Sequence, residues 1–215
     1  MAPAASQIAL PLKLAGADGP ARIVLGEANR AVAEALAAPE TWPFRTAVLI
    51  GPPRSGKSLF ARWFAESGPS GLGGEAVDDA DALDETALFH RWNRAQEHNT
   101  PLLLVAGAVN DAGGWAITLP DLRSRLGAAL QLEIGVPDDA LVPALIESHA
   151  AQRGLALGEG ALAYLAPRSE RSWAGIERLV AAIDRLSLER KVPATMSIWR
   201  DALEAVQGAE QPRLL

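Results

Sequence analysis

The sequence predicts an α/β fold with a parallel sheet built around a phosphate-binding loop, followed by a small all-helical unit. Three observations predict it. A compact apolar run, TAVLIG at 46–51, leads directly into GPPRSGKS at 51–58, a loop that opens a helix. Short apolar runs then alternate with helical stretches, the order expected of a parallel sheet with crossover helices. Beyond VPDD at 136–139, apolar residues recur only at three- and four-residue spacing, the period of amphipathic helices.

The composition narrows the function classes. At 215 residues and 49% hydrophobic content the chain is long and apolar enough to bury a core. No apolar run approaches the roughly 20 residues that cross a bilayer, and the start lacks the basic and apolar regions of a secretory signal. Cytoplasm is therefore the expected location, with no membrane partner. With no cysteine, disulfides and thiolate metal sites are excluded, and the spacing of His90, His98 and His149 matches no metal motif. A net charge of −6 argues against sequence-specific DNA binding, which rests on a basic face.

Along the chain, RIVLGEANRAVAEALAA (22–38) reads as a lead-in and an alanine-rich helix. TAVLIG reads as a buried parallel strand. ALFHRWNRAQEHN (87–99) reads as a helix, TPLLLVAGAV (100–109) as a second buried strand, and LPDLRSRLGAALQLEIG (119–135) as a short helix and a further strand. Four helical stretches follow, and Ile176, Leu179, Val180, Ile183 and Leu186 form one apolar face. The expected organisation is an N-terminal peptide at 1–14, an α/β domain at 22–136, a helical domain at 137–208 and a tail at 209–215. The six tryptophans read as core, with Trp115 placed in a loop where a subunit interface could use it.

GPPRSGKS fits G-x-x-x-x-G-K-[ST] in the strand–loop–helix context that gives the pattern meaning. Gly51 and Gly56 allow torsions and a close approach that a Cβ would obstruct. The amides of the loop, which includes Pro53, Arg54 and Ser55, and the helix N-terminus point at phosphate oxygens. Lys57 reaches the β- and γ-phosphates, and the Ser58 hydroxyl is a Mg²⁺ ligand candidate. In EAVDDAD, Asp78 is the candidate to hold Mg²⁺ through water and Asp79 to polarise the attacking water. The preceding GGEAV is a poor strand, with two glycines and Glu75 where aliphatics belong. The competing reading is an acidic loop in which Asp81 or Asp84 caps a helix.

These residues, in this order, resemble the AAA+ module of DnaA-related proteins, and within them the Hda-like regulators that lack a DNA-binding domain. VLGEANRAV (24–32) looks like the family's segment before the phosphate loop, GPPRSGKS like its Walker A and VDDAD like its Walker B. LPDLRSRL (119–126) looks like its arginine-finger box, and ERSWAG (170–175) stands at its sensor-2 position. The resemblance implies a P-loop AAA+ domain with a helical lid, bound ADP or ATP, and Mg²⁺. It implies that Arg125 reaches a neighbouring subunit's nucleotide, where a guanidinium supplied in trans stabilises charge on the phosphoryl oxygens. Arg123 becomes a second interface charge, and Arg171 the sensor-2 arginine that touches the chain's own nucleotide.

Two departures qualify that expectation. The stretch from Ser58 to Asp78 holds one helix and little else, so the sheet is expected to be a strand short. At the family's sensor-1 position stand Ala106, Gly107 and Ala108, with Asn110 slightly beyond. Both, with the poor Walker B strand, weaken the case for efficient hydrolysis at the chain's own site, so the chain is expected to stimulate a partner's ATPase rather than to be an efficient ATPase itself. The implied function is a nucleotide-bound, ADP-type inactivator of the replication initiator DnaA that stimulates DnaA's ATP hydrolysis and prevents over-initiation. The implied partners are DnaA and the β sliding clamp DnaN, with a homodimer left open. The chain stops at Leu215 without the helix-turn-helix that reads origins, in keeping with this expectation. The alternatives are a self-sufficient P-loop ATPase of clamp-loader type and a non-catalytic adaptor between DnaA and the clamp.

The N-terminal SQIALPLKL (6–14) has two readings. Alternating Ile8, Leu10 and Leu12 suit an edge strand, where Pro11 is tolerated. QIALPL also resembles the peptide by which such regulators bind the clamp. In that reading Gln7 takes the polar role at the pocket rim, Ile8, Leu10 and Leu12 belong to the apolar motif, and Pro11 limits the ordering cost.

Overall fold

The computed structural model describes residues 23–67, 74–107 and 115–208. The chain divides into two compact units. One is Ala28–Gly135; the other joins the lead-in that ends at Glu27 to the chain from Val136 onward.

The first unit contains β1 (Thr46–Ile50), β2 (Glu75–Val77), β3 (Leu102–Val105) and β4 (Leu130–Glu133), in the order β2-β3-β1-β4 with every pairing parallel. The two central strands are continuous apolar runs. Leu102–Val105 is buried throughout and Thr46–Ile50 nearly so, as a sheet covered on both faces requires. The outer strands are mixed: in β4 only Leu132 is buried, and in β2 only Val77. The register pairs Leu49 with Val105, Val77 with Leu104 and Ile50 with Glu133. All four strands therefore end along one edge, from which Gly51, Asp78, Ala106 and Ile134 depart. This is the edge where parallel α/β sheets place ligands.

The helices of this unit are α1 (Glu27–Leu36), α2 (Lys57–Ser67), α3 (Glu85–Glu97) and α4 (Pro120–Gly127). Val32 and Leu36 of α1, Phe60 and Phe64 of α2, and Leu122 and Leu126 of α4 lie one turn apart and are buried, which converts helical period into sheet cover. Trp42 stacks on Phe64 with centroids 5.2 Å apart and donates its indole N–H to the Ala35 carbonyl at 2.8 Å. Helix α3 starts two residues before the expected 87, because the Asp84 carboxylate accepts from the Ala87 amide at 2.9 Å and caps it. The segment expected to be a poor strand does pair with β3. A Cβ on Gly74 would sit 2.3 Å from the Phe64 ring, so the glycine that weakens the strand signal is what lets α2 lie against this backbone. Trp115 is partly buried and packs against this unit's own core, as Phe89 and Trp92 do.

The second unit holds α5 (Leu141–Gln152), α6 (Glu159–Leu165), α7 (Trp173–Arg190) and α8 (Met196–Gly208). Ile176, Leu179, Val180 and Ile183 are buried as the periodicity requires, and Leu186 is half-buried. Ser172 caps α7 by accepting from the Gly175 amide at 2.9 Å, and Lys191 ends it in the left-handed region. The lead-in belongs here: Ile23, Val24 and Leu25 are buried, and the Glu27 amide donates to Asp138 Oδ2 at 3.2 Å. The predicted parallel α/β sheet followed by helices is the architecture observed, with four strands among the described residues.

Candidate nucleotide-binding site

Gly51 leaves β1 into a loop that returns as α2. A Cβ on Gly51 would lie 3.0 Å from the Ile134 side chain and 3.2 Å from Ser55 Oγ, so the cradle closes only around glycine. Arg54 and Gly56 take left-handed torsions, φ 66° and 87°, a backbone that costs energy at a non-glycine residue and gathers at functional loops. Ser55 is buried, and its hydroxyl has no hydrogen-bond partner among the protein groups. Pro53 and Ser58 are exposed. Lys57 donates to the Gly51 and Pro52 carbonyls at 2.8 and 2.9 Å, which places its ammonium across the loop. Burial holds the Lys57 pKa below its ordinary value, while the Asp78, Asp81 and Asp79 carboxylates, in that order, pull it back up. The acidic turn after β2 is thus close enough to act on the phosphate-loop lysine.

In that turn Asp78 and Asp79 are both exposed, and Asp79 is left-handed with φ 48°. Of the two aspartates read as possible helix caps, Asp84 does cap α3. Asp81 accepts from the Gly107 amide at 3.0 Å and ties the acidic turn to the end of β3. At that strand end Ala106 is buried and Gly107 offers only backbone; Ala108 and Asn110 lie outside the described residues. Among the described residues no group of three or more His, Cys, Asp or Glu could hold a metal. Ser58 and Asp78 would hold Mg²⁺ only together with phosphate oxygens. The closed cradle, the orphaned Ser55 hydroxyl and the lysine across the loop all fit a nucleotide's phosphates.

Arg125, on the last turn of α4, is half-buried. Its guanidinium carbon lies 4.6 Å from the Phe89 ring centroid and 4.3 Å from that of Trp92, and Nη1 donates to Asn93 Oδ1. Arg123 is exposed and donates from Nε to the Ile117 carbonyl at 2.7 Å. Glu85 receives the Thr118 amide and hydroxyl at 2.8 Å each and the Leu119 amide at 2.6 Å, at the start of α4. The backbone bonds from Thr118 and Leu119, then the Thr118 hydroxyl, lower the Glu85 pKa. Neither Glu85 nor the Phe89, Trp92 and Asn93 set stands out in the sequence. Their spacing along one helical face is the only signal, and it reads equally well as core.

In the second unit Arg171 pairs with Asp139 at 2.7 Å, and both side chains are strongly exposed, at 68% and 75%. Glu170 accepts from the Ser172 hydroxyl and pairs with Arg178 at 2.7 Å, so the rest of the ERSWAG stretch builds the start of α7. Gln7, Ile8, Leu10, Pro11 and Leu12 lie outside the described residues.

No protein-family model matches the chain, and no curated protein does. Among solved structures, domain III of the Thermotoga maritima replication initiation protein DnaA superimposes with a TM-score of 0.67 at 14% identity, covering 86% of this chain and 94% of that one. The Thermotoga maritima RuvB Holliday junction branch migration motor gives 0.58 at 20% identity over 84% and 70%. AMPPCP-bound DnaA from Aquifex aeolicus gives 0.57 at 16% over 79% and 66%. The chain shares the fold of these DnaA and RuvB structures.

Proposed function

We propose that this chain is a nucleotide-holding AAA+ protein that acts on a neighbour's ATP, as a regulatory inactivator of DnaA. The observation that carries the reading is an imbalance at the sheet edge. The phosphate loop has its closed cradle and its lysine, while β3 runs out into Ala106 and Gly107, neither of which carries a polar side chain of its own. Binding is provided for more fully than hydrolysis. The DnaA part of the reading draws on the motif order and on the likeness to DnaA modules.

In this reading the loop amides and Lys57 hold the β-phosphate end of ADP or ATP, and Ser58 and Asp78 face Mg²⁺. When bound, Mg²⁺ neutralises phosphate charge. Asp79 is the weak candidate to orient water, and Arg171 would exchange its exposed Asp139 for nucleotide phosphate. Arg125 supplies a guanidinium to the ATP of DnaA. Gln7, Ile8, Leu10, Pro11 and Leu12 would bind the β sliding clamp, bringing the regulator to replicated DNA.

The test is DnaA's ATP hydrolysis in the presence of this protein and DNA-loaded clamp. Arg125→Ala should abolish the stimulation while leaving nucleotide retention intact, and an unchanged rate sinks the reading. Rapid hydrolysis by this protein alone would favour the clamp-loader-type ATPase, and purification without nucleotide the adaptor. Gln7→Ala with Leu10→Ala should remove clamp capture in a pull-down.

A further inference from the structure

Glu85, Phe89, Trp92 and Asn93 of α3 reach α4 or the residues that lead into it, and they stand at the i, i+4, i+7 and i+8 positions of one helical face. They act at both ends of α4. At its start Glu85 gathers two amides and a hydroxyl from Thr118 and Leu119, the two residues that lead into the helix. At its end the Phe89 and Trp92 rings lie within cation–π distance of Arg125, and Asn93 accepts from its Nη1. Trp92 spends its ring on this contact, since its buried indole N–H has no hydrogen-bond partner among the protein groups. An arginine on a free surface samples many rotamers, whereas this one has its plane set by rings and its rotation set by an amide oxygen. It is still only half-buried, so it is held without being closed off.

We propose that this face of α3 is a jig for the candidate finger. Phe89, Trp92 and Asn93 are positioning residues for the Arg125 guanidinium, and Glu85 is the positioning residue for the helix that carries it. The inference rests on the trans-acting reading of Arg125. It adds that the finger's reach is set in advance by its own chain, so a neighbour's nucleotide meets an arginine already in place and less ordering is needed on contact.

Two readouts on the full chain test it. In ¹⁵N-arginine-labelled protein, ring currents should displace the Arg125 side-chain N–H signals upfield. Trp92→Leu should return them toward the ordinary position, and Trp92→Phe, which keeps a ring, should preserve most of the displacement. In the partner-hydrolysis assay, Trp92→Leu should lower maximal stimulation about fivefold, the size of one cation–π contact. Asn93→Ala, which leaves the core untouched, should lower it about threefold, the size of one hydrogen bond. The half-saturating concentration should hold in both, and Trp92→Phe should restore most of the stimulation. Wild-type stimulation by Trp92→Leu and Asn93→Ala with the Arg125 signals moved would overturn the jig, and enhanced stimulation would overturn it in favour of a lock. Undisplaced Arg125 signals in the wild-type protein would overturn it as well. Full stimulation by Arg125→Ala is a different failure: it removes the trans-acting reading while the ring-current result still reports on the slot.

Discussion

Lys57 carries the most chemistry per atom in this chain. It is held by two loop carbonyls, depressed by burial and opposed by three aspartates. Lys57→Met should therefore weaken binding of a fluorescent ADP by about 1.5–3 kcal/mol, the worth of a charged hydrogen bond, with little change in folding. Gly74 makes the opposite case, a residue with no chemistry and a strict steric duty. Gly74→Ala drives a methyl into the Phe64 ring, and a denaturant melt should show a loss of about 1–3 kcal/mol, as overpacking costs. Arg171 and Asp139 show why an ion pair is not by itself a stabiliser. Both are so exposed that Asp139→Ala should move the melt by less than about 0.5 kcal/mol.

The α3–α4 pair is held at its N-terminal end by a carboxylate, and carboxylates titrate. The Glu85 pKa is lowered in the folded protein, so its contribution is complete above the ordinary carboxylate value and is lost as the pH falls through the folded-state value. Protection of the Thr118 and Leu119 amides, taken relative to the intrinsic exchange rate at each pH, should fall in that acidic window before β1 and β3 open, and Glu85→Gln should remove the dependence. How much of this was legible in the sequence follows from how local each signal is. β1 with its loop and α2 was readable because an apolar run, glycines and a lysine sit in one uninterrupted stretch. The helices from α5 onward were readable because their period needs no partner to be seen. β2 read as a poor strand because the reason for Gly74 is Phe64, on a different element. The surroundings of Arg125 stayed hidden for the same reason: Phe89 and Trp92 look like core on α3 until α4 is laid beside them.

The two units respond to different conditions. In the second, burial holds His149 below its ordinary value, with Glu177 opposing and Arg153 reinforcing the shift. Neutral His149 therefore contributes fully above about pH 6.5, and that contribution is lost as the pH falls through the folded-state value. Thermal melts should show the helical unit starting to weaken as the pH falls below about 6.5, a higher starting point than that of Glu85, and His149→Gln should flatten that slope. The lead-in adds a consequence of its own. Ile23, Val24 and Leu25 are buried with a unit whose remaining residues come after Gly135, so the α/β unit interrupts its neighbour in the chain. On a ribosome the interrupted unit is therefore the last to close. Its first strip emerges early and must wait, apolar and uncovered, through the synthesis of the whole sheet. The last strand of the sheet among the described residues ends at Glu133, so those four strands can pair while the helices are still being made. Birth order thus gives the chain a finished phosphate loop before it has the helices that follow.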